Sequence, residues 1–393
     1  MVNKMRKIQK VDASGKKILL RVDYNVPIKN GQVQSNERIL ASLETINYLL
    51  EQKATVVICS HLGRPGGKPN TLFSLKPAAK ELQKLIKKSV QFSDNCIEAE
   101  RDNKIRHMGP GEILFLENLR FNSGEESNDS AFAKKLAESC ELYVNDAFSA
   151  SHREHASVVE VTKFLPSYAG FCMQKEVENL SKILVEPQKP FVLVMGGAKM
   201  ADKIPLILNM MGKIDTLILG GAIANTFLLA KGYRLGRSIV EPESIDVIRK
   251  IFIEARDRGV EIRLPEDGVV AEDIGATSGR EKPINVVAES EMILDIGNNT
   301  AGQYAQDFKL AETVFWNGPM GYAETPAFAD GTKAIGQAIA NSNAFSVIGG
   351  GDTISALSEE VSKKFGYVST AGGAALEFLS GRNLPGLSAL EDK

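Results

Sequence analysis

Short apolar runs recur along the chain, with helix-like stretches between them. In the first half the runs are Ile18–Val22, Thr55–Cys59, Ile113–Leu116 and Leu142–Val144. They read as strands, and Phe191–Met195 in the second half, which has no polar alternation, reads as a strand buried on both faces. Ser35–Leu50 and Ser74–Lys88 carry helical spacing between them. The second half repeats the logic at Phe191–Met195, Thr216–Leu219, Val260–Leu264, Thr313–Trp316, Phe345–Ile348 and Tyr367–Val368. Strands alternating with helices predict βαβ units and parallel sheets. Between the halves, Met173, Val177, Leu180 and Leu184 form one apolar helix stripe, ended by Pro187 and Pro190. A chain of 393 residues exceeds one ordinary core. The expected fold class is therefore α/β, with two doubly wound domains of largely parallel sheets joined by a linker helix and a hinge.

Composition narrows the partners. The net charge of −2 gives no global basic field, so nucleic acid is not an expected partner and any anion site must come from local placement. Cys59, Cys96, Cys140 and Cys172 have neither zinc nor disulfide spacing, and Cys59 and Cys140 read as core thiols suited to a reducing cytoplasm. The lysine-rich start lacks the apolar core of a signal peptide. The most apolar long window, Leu217–Ala230, is broken by Gly220, Gly221 and Asn225 and is too short to span a bilayer.

Each apolar run in the first half ends in a polar cluster: Arg21, Asp23 and Asn25; then SHLGRP (60–65), ENLRF (117–121) and NDAFSASHR (145–153). Four clusters at the same end of four parallel strands would converge on one cleft. That cleft would hold Arg21, Arg38, His61, Arg64, Arg120 and Arg153. Any single arginine is more often a surface salt bridge. As a group, their forks suit a small ligand with several negative charges, with Asp23 and Asn25 free to bond a hydroxyl. His152 and His155 lack the partners of a metal site and read as solvated or loop-bracing.

In the second half the clusters are rich in glycine: GGAK, GGAIANTF, WNGPMG, GGGDT and STAGGA. There is no G-x-x-x-x-G-K-[ST] and no G-x-G-x-x-G, so common nucleotide fingerprints are missing. Gly196 and Gly197 break the strand at Met195 and would let another molecule approach closely. Lys199 and Lys203, four apart, would share a face if a helix begins there. They read as a solvated face or as a phosphate site at the carboxyl end of a buried strand. Asp352 in GGGDT reads as a helix cap or as a Mg²⁺ ligand between protein and phosphates. An arginine cleft in one half and a glycine-lined cleft in the other suggest phosphoryl transfer completed by closure. A dehydrogenase or other α/β transferase, and a non-catalytic binding protein for a phosphorylated metabolite, are the rival readings.

The ordered set RVDYNVP (21–27), SHLGRP (60–65), FLENLRF (115–121), DAFSASHR (146–153), GGAKMADK (196–203), TVFWNGPMG (313–321), GGGDT (349–353) and LEFLSGRNLPG (376–386) resembles the phosphoglycerate kinase family. The resemblance runs from about Ile18 to Leu390. It implies reversible transfer from 1,3-bisphosphoglycerate to Mg-ADP, giving 3-phosphoglycerate and ATP, in a cytoplasmic monomer of glycolysis without membrane partners. It implies that Asp23, Tyr24, Asn25, Arg38, His61, Leu62, Gly63, Arg64, Arg120 and Arg153 bind the triose. By the same resemblance Arg38, Lys199, Gly372 and Gly373 act on the transferring group. Lys203, Gly220, Gly221, Asn317, Pro319, Glu324, Gly350, Gly351, Asp352 and Thr353 would hold the nucleotide, with Asp352 on Mg²⁺. Domains follow as 1–170 with 376–393 for phosphoglycerate, 171–187 as linker helix and 188–375 for nucleotide. Tyr24, Ser149–Ser151, Asn298 and Ala371 depart from the family's usual residues.

Overall fold

The computed structural model describes residues 5–391, so part of the lysine-rich start lies outside the described residues. Two compact units divide the chain, Met1–Glu178 with Asn383–Lys393, and Asn179–Arg382. The division falls inside the helix Phe171–Leu184.

In the first unit the strands are β1 (Lys17–Arg21), a small antiparallel pair β2 (Ile28–Lys29) and β3 (Gln32–Val33), β4 (Thr55–Cys59), β5 (Gln91–Ser93), β6 (Ile113–Leu116), β7 (Leu142–Asn145) and β8 (Ser167–Ala169). Six of them form a parallel sheet in the order β5-β6-β4-β1-β7-β8. Successive strand residues point to opposite faces, and both faces are covered. Leu20, Ile58, Phe115 and Val144 pack with Ile46, Leu49 and Leu82 on one side. Leu19, Val57, Leu114 and Tyr143 pack with Ile105, Phe132 and Leu136 on the other. Double coverage is why the runs show no alternation. Truncating one such leucine to alanine costs about 2–5 kcal/mol.

The second unit holds β9 (Phe191–Met195), β10 (Thr216–Leu219), β11 (Glu261–Arg263), β12 (Asp267–Ala271), β13 (Arg280–Pro283), β14 (Met292–Ile296), β15 (Thr313–Asn317), β16 (Phe345–Gly349) and β17 (Tyr367–Ser369). Its parallel sheet runs β11-β10-β9-β15-β16-β17. Val194, Ile218, Trp316 and Ile348 pack with Tyr304, Phe308, Ile335 and Ile339. A separate antiparallel sheet, β13-β12-β14, was not expected from the pattern. In both parallel sheets the connections reverse direction beside the first strand, at β1/β7 and at β9/β15. Crevices in open sheets form at such reversals, beyond the carboxyl ends.

Two expectations need correction. Residues 376–382 pack in the second unit, where Asn209 Nδ2 donates to the Leu379 carbonyl at 2.8 Å, and the return to the first unit begins at Asn383. No helix starts at Lys199: the segment after Gly197 is a loop, and the helix is Ile204–Met210 with Lys203 as its cap residue. The proline at its second position favours a start there. Among the described residues, no helix is long and apolar enough to cross a membrane.

Candidate active site

In the first unit, the loops after β1, β4, β6 and β7 are tied to one another. The Gly63 N–H donates to Asn25 Oδ1 at 3.0 Å, and Arg120 Nη1 donates to the Gly63 carbonyl at 2.7 Å. Gly63 has φ +59, and a Cβ there would stand 2.4 Å from the Phe73 ring. Asp23 is paired with Arg38 and accepts from the Ser149 hydroxyl and, at 2.9 Å, from the Asn25 N–H. Burial works against its charge, but Arg38 and these donors bring the carboxyl down to about 2. Arg64 and Asn25 are exposed, while Arg38 and Arg153 are partly so. Arg153 Nε donates to His152 Nε2 at 3.0 Å.

Three residues differ from the sequence reading. Arg21 does not face the cleft: it is fully buried beneath it. Tyr24 turns its ring into the core against Phe115, with its hydroxyl 2.7 Å from Ser42 Oγ. Leu62 is buried, its N–H donating to Asn118 Oδ1 at 3.2 Å. The sequence reading missed Ser149 as a partner of Asp23, and a serine in a polar cluster gave no signal.

In the second unit, the loops after β9, β10, β15 and β16 lock together through backbone N–H groups that donate to carbonyls and to one hydroxyl. Gly197 donates to the Pro319 carbonyl at 2.7 Å, Gly221 to that of Met320 at 2.7 Å, and Gly318 to Thr353 Oγ1 at 2.9 Å. A Cβ on Gly196 would meet the Pro319 carbonyl at 2.1 Å, and one on Gly220 the Met320 sulfur at 2.6 Å. These two glycines thus admit the protein's own loop, not a second molecule. Gly351, Gly372 and Gly373 differ, because a Cβ on any of them would enter open space.

Between these loops lies a cavity of about 220 Å³, lined by Gly197, Gly221, Leu294, Pro319, Glu324 and Asp352 among others. Its apolar wall includes Met320 of the WNGPMG cluster together with Ile239 and Leu294, neither of which the sequence reading named. Leu294 sits on β14, in the sheet that reading missed. Lys203 is buried beside this cavity's loops, its amine donating to the Gly196 carbonyl at 2.6 Å. Burial pushes that amine down to about 8, against the pull of Asp202, Asp352 and Glu241. Lys199 and Asp352 are exposed, and Asn317 is buried next to Gly350. Asp352 lies in the first turn of the helix Gly351–Ser355, whose cap is Gly350. The cap alternative therefore fails on position. One carboxylate at a cavity rim fits Mg²⁺ that brings phosphate oxygens with it.

The departures from family pattern are accommodated. Asn298 opens the helix Asn298–Leu310 with its N–H and Nδ2 donating to Glu281 at 2.9 and 2.7 Å. Ala371 is absent from the residues with positive φ, a conformation that Gly372 takes beside it.

Comparison with known proteins bears on both units. The phosphoglycerate kinase family profile matches residues 8–382. A phosphoglycerate kinase of Moorella thermoacetica is 46% identical over 388 residues, 98% of this chain and 99% of the relative. One of Herpetosiphon aurantiacus is 47% identical over 389 residues, again 98% and 99%. The solved phosphoglycerate kinase of Coxiella burnetii covers 98% of both chains with TM-score 0.87 at 41% identity. That of Pyrococcus horikoshii OT3 gives 0.88 at 34% identity, also over 98% of both chains. Matches over both doubly wound units define the class as an α/β phosphotransferase with a carboxyl group as acceptor. The chain belongs to the phosphoglycerate kinase family. A dehydrogenase or a non-catalytic binding protein is not favoured.

Proposed function

We propose that the chain moves the acyl phosphate of 1,3-bisphosphoglycerate to Mg-ADP, reversibly, with the triose on the first unit and the nucleotide on the second. The observation that carries this reading is the cavity of the second unit, with an apolar wall for a base and Asp352 at its rim. Asp23, Asn25, Arg38, His61, Arg64, Arg120 and Arg153 would bind the triose, whose carboxylate and phosphate suit arginine forks. Tyr24 and Leu62 would contribute backbone rather than side chain, and Gly63 its close turn.

A β-phosphate oxygen of ADP attacks the acyl phosphorus as the bond to the carboxylate oxygen breaks. Such a donor is reactive enough that no covalent enzyme intermediate is needed. Catalysis is then alignment and neutralisation of charge on the equatorial oxygens. Arg38, Lys199 and the N–H groups of Gly372 and Gly373 would supply it, and transfer requires the two ligands to meet. Lys203, Gly220, Gly221, Asn317, Pro319, Glu324, Gly350, Gly351 and Thr353 would hold or shape the nucleotide site. Asp352 would hold Mg²⁺, which supplies charge neutralisation on the nucleotide phosphates.

We take the protein to act as a cytoplasmic monomer. Each chain carries both half-sites, and all four cysteines are unpaired. The test is a coupled assay with 3-phosphoglycerate and Mg-ATP, following reduction of 1,3-bisphosphoglycerate by NADH. NADH loss that stops without magnesium is expected. No turnover by folded protein that still binds 3-phosphoglycerate would overturn the reading.

A further inference from the structure

Beneath His61 runs a chain of buried side chains that the transfer does not use. His61 follows β4 and is nearly buried, and its Nδ1 lies 3.1 Å from Arg21 Nη2. An arginine has donors only. Nδ1 must therefore accept, which leaves the ring proton on Nε2. Arg21, on β1, also donates through Nη1 to the Val22 carbonyl and through Nε to Ser157 Oγ at 2.9 Å. A hydroxyl that accepts from Arg21 turns its own proton elsewhere, and Glu125 Oε1 takes it at 2.7 Å. Glu125 Oε2 accepts the Ser157 N–H at 3.0 Å. Each bond in this chain has a single allowed direction, set by the arginine. All three supporting residues are fully buried.

We propose that Arg21, Ser157 and Glu125 are positioning residues that fix the His61 ring as its Nε2–H tautomer, so that His61 meets an anionic substrate oxygen as a neutral donor. This rests on the triose reading above. Burial and then the Arg21 charge hold the imidazole well below its ordinary value, with Arg120 and Arg153 acting the same way and Asp23 opposing them. Glu125 faces Arg21 and Arg120, with His155 Nδ1 3.8 Å away. A neutral donor adds a hydrogen bond to the site without another positive charge beside the arginines. Its contribution also stays constant where a free histidine would titrate, near pH 6.5.

The chain has only four histidines, so ¹⁵N-histidine NMR of the full protein resolves the question. Wild type is expected to show His61 as Nε2–H, with no charging step between about pH 5 and 8. In Arg21→Met, His61 should lose its fixed tautomer and take up a proton as pH falls toward its ordinary range. The KM for 3-phosphoglycerate should then rise about tenfold and become pH-dependent, while kcat stays within about threefold. Ser157→Ala should move both readouts the same way by less, and serves if Arg21→Met does not fold. An Nδ1–H tautomer in wild type, a charged ring at pH 6, or an unchanged tautomer in folded Arg21→Met each overturns the proposal. Absent turnover with the expected tautomer would sink the substrate assignment and leave the relay standing.

Discussion

Two glycine-to-alanine changes add the same methyl group and should have opposite consequences. At Gly196 the new Cβ would stand 2.1 Å from the Pro319 carbonyl and 2.6 Å from that of Gly318. Both obstacles are backbone, so neither can rotate away. The β15 loop must shift, at the usual cost of overpacking, about 1–3 kcal/mol. At Gly351 nothing lies within 4 Å of the added Cβ, and the position opens a helix. Alanine there should leave stability unchanged or raise it by about 0.5–1 kcal/mol. If the nucleotide phosphates press on that backbone, the methyl group should raise the nucleotide KM about tenfold, equivalent to about 1.4 kcal/mol. Urea unfolding and steady-state nucleotide titration on both variants separate the two effects. Wild-type stability for Gly196→Ala would refute the reading of loop packing. An unchanged nucleotide KM for Gly351→Ala would refute the placement of phosphate against that turn.

The remaining predictions concern charge. Because the folded Lys203 amine sits at about 8, below its ordinary value of about 10.4, its charge is lost as pH rises through that range. The nucleotide KM should therefore climb above pH 8, and Lys203→Met should abolish the pH step while raising KM at neutral pH. The unfolded chain binds this proton more tightly, so the lysine's contribution to stability rises with pH between those two values. Arg38→Ala should lower kcat about a hundredfold or more, the scale of one lost transition-state charge donor, and near-normal turnover would exclude that role. Asp352→Ala should weaken the use of Mg-nucleotide with little change in KM for 3-phosphoglycerate. Unchanged magnesium dependence would remove Asp352 as the ligand.

Strands buried on both faces were legible because they read as unbroken apolar runs. Thr55–Cys59, Ile113–Leu116, Phe191–Met195 and Thr216–Leu219 match the structure end to end. The antiparallel sheet was not legible: Arg280–Pro283 is polar and mostly exposed, and apolar periodicity gives no sign of such a strand. The lysine pair shows how spacing misleads. Lys199 and Lys203 are four apart, yet a loop separates an exposed amine from a buried one. Glycine clusters were legible as close approaches, but sequence does not say what approaches. At Gly196 and Gly220 it is the neighbouring loop, whereas Gly351, Gly372 and Gly373 face open space. Arg21 looked like its neighbours in sequence because charge alone does not distinguish an arginine in a cleft from one beneath it.

Incubation with ATP, magnesium and 3-phosphoglycerate in the presence of hydroxylamine tests the central claim most directly. An acyl phosphate formed on the enzyme is trapped as the hydroxamate of 3-phosphoglycerate. The account predicts hydroxamate and ADP in equal amounts, dependent on both magnesium and acceptor. ADP release without hydroxamate, at the same rate with and without 3-phosphoglycerate, would contradict transfer to a carboxyl group.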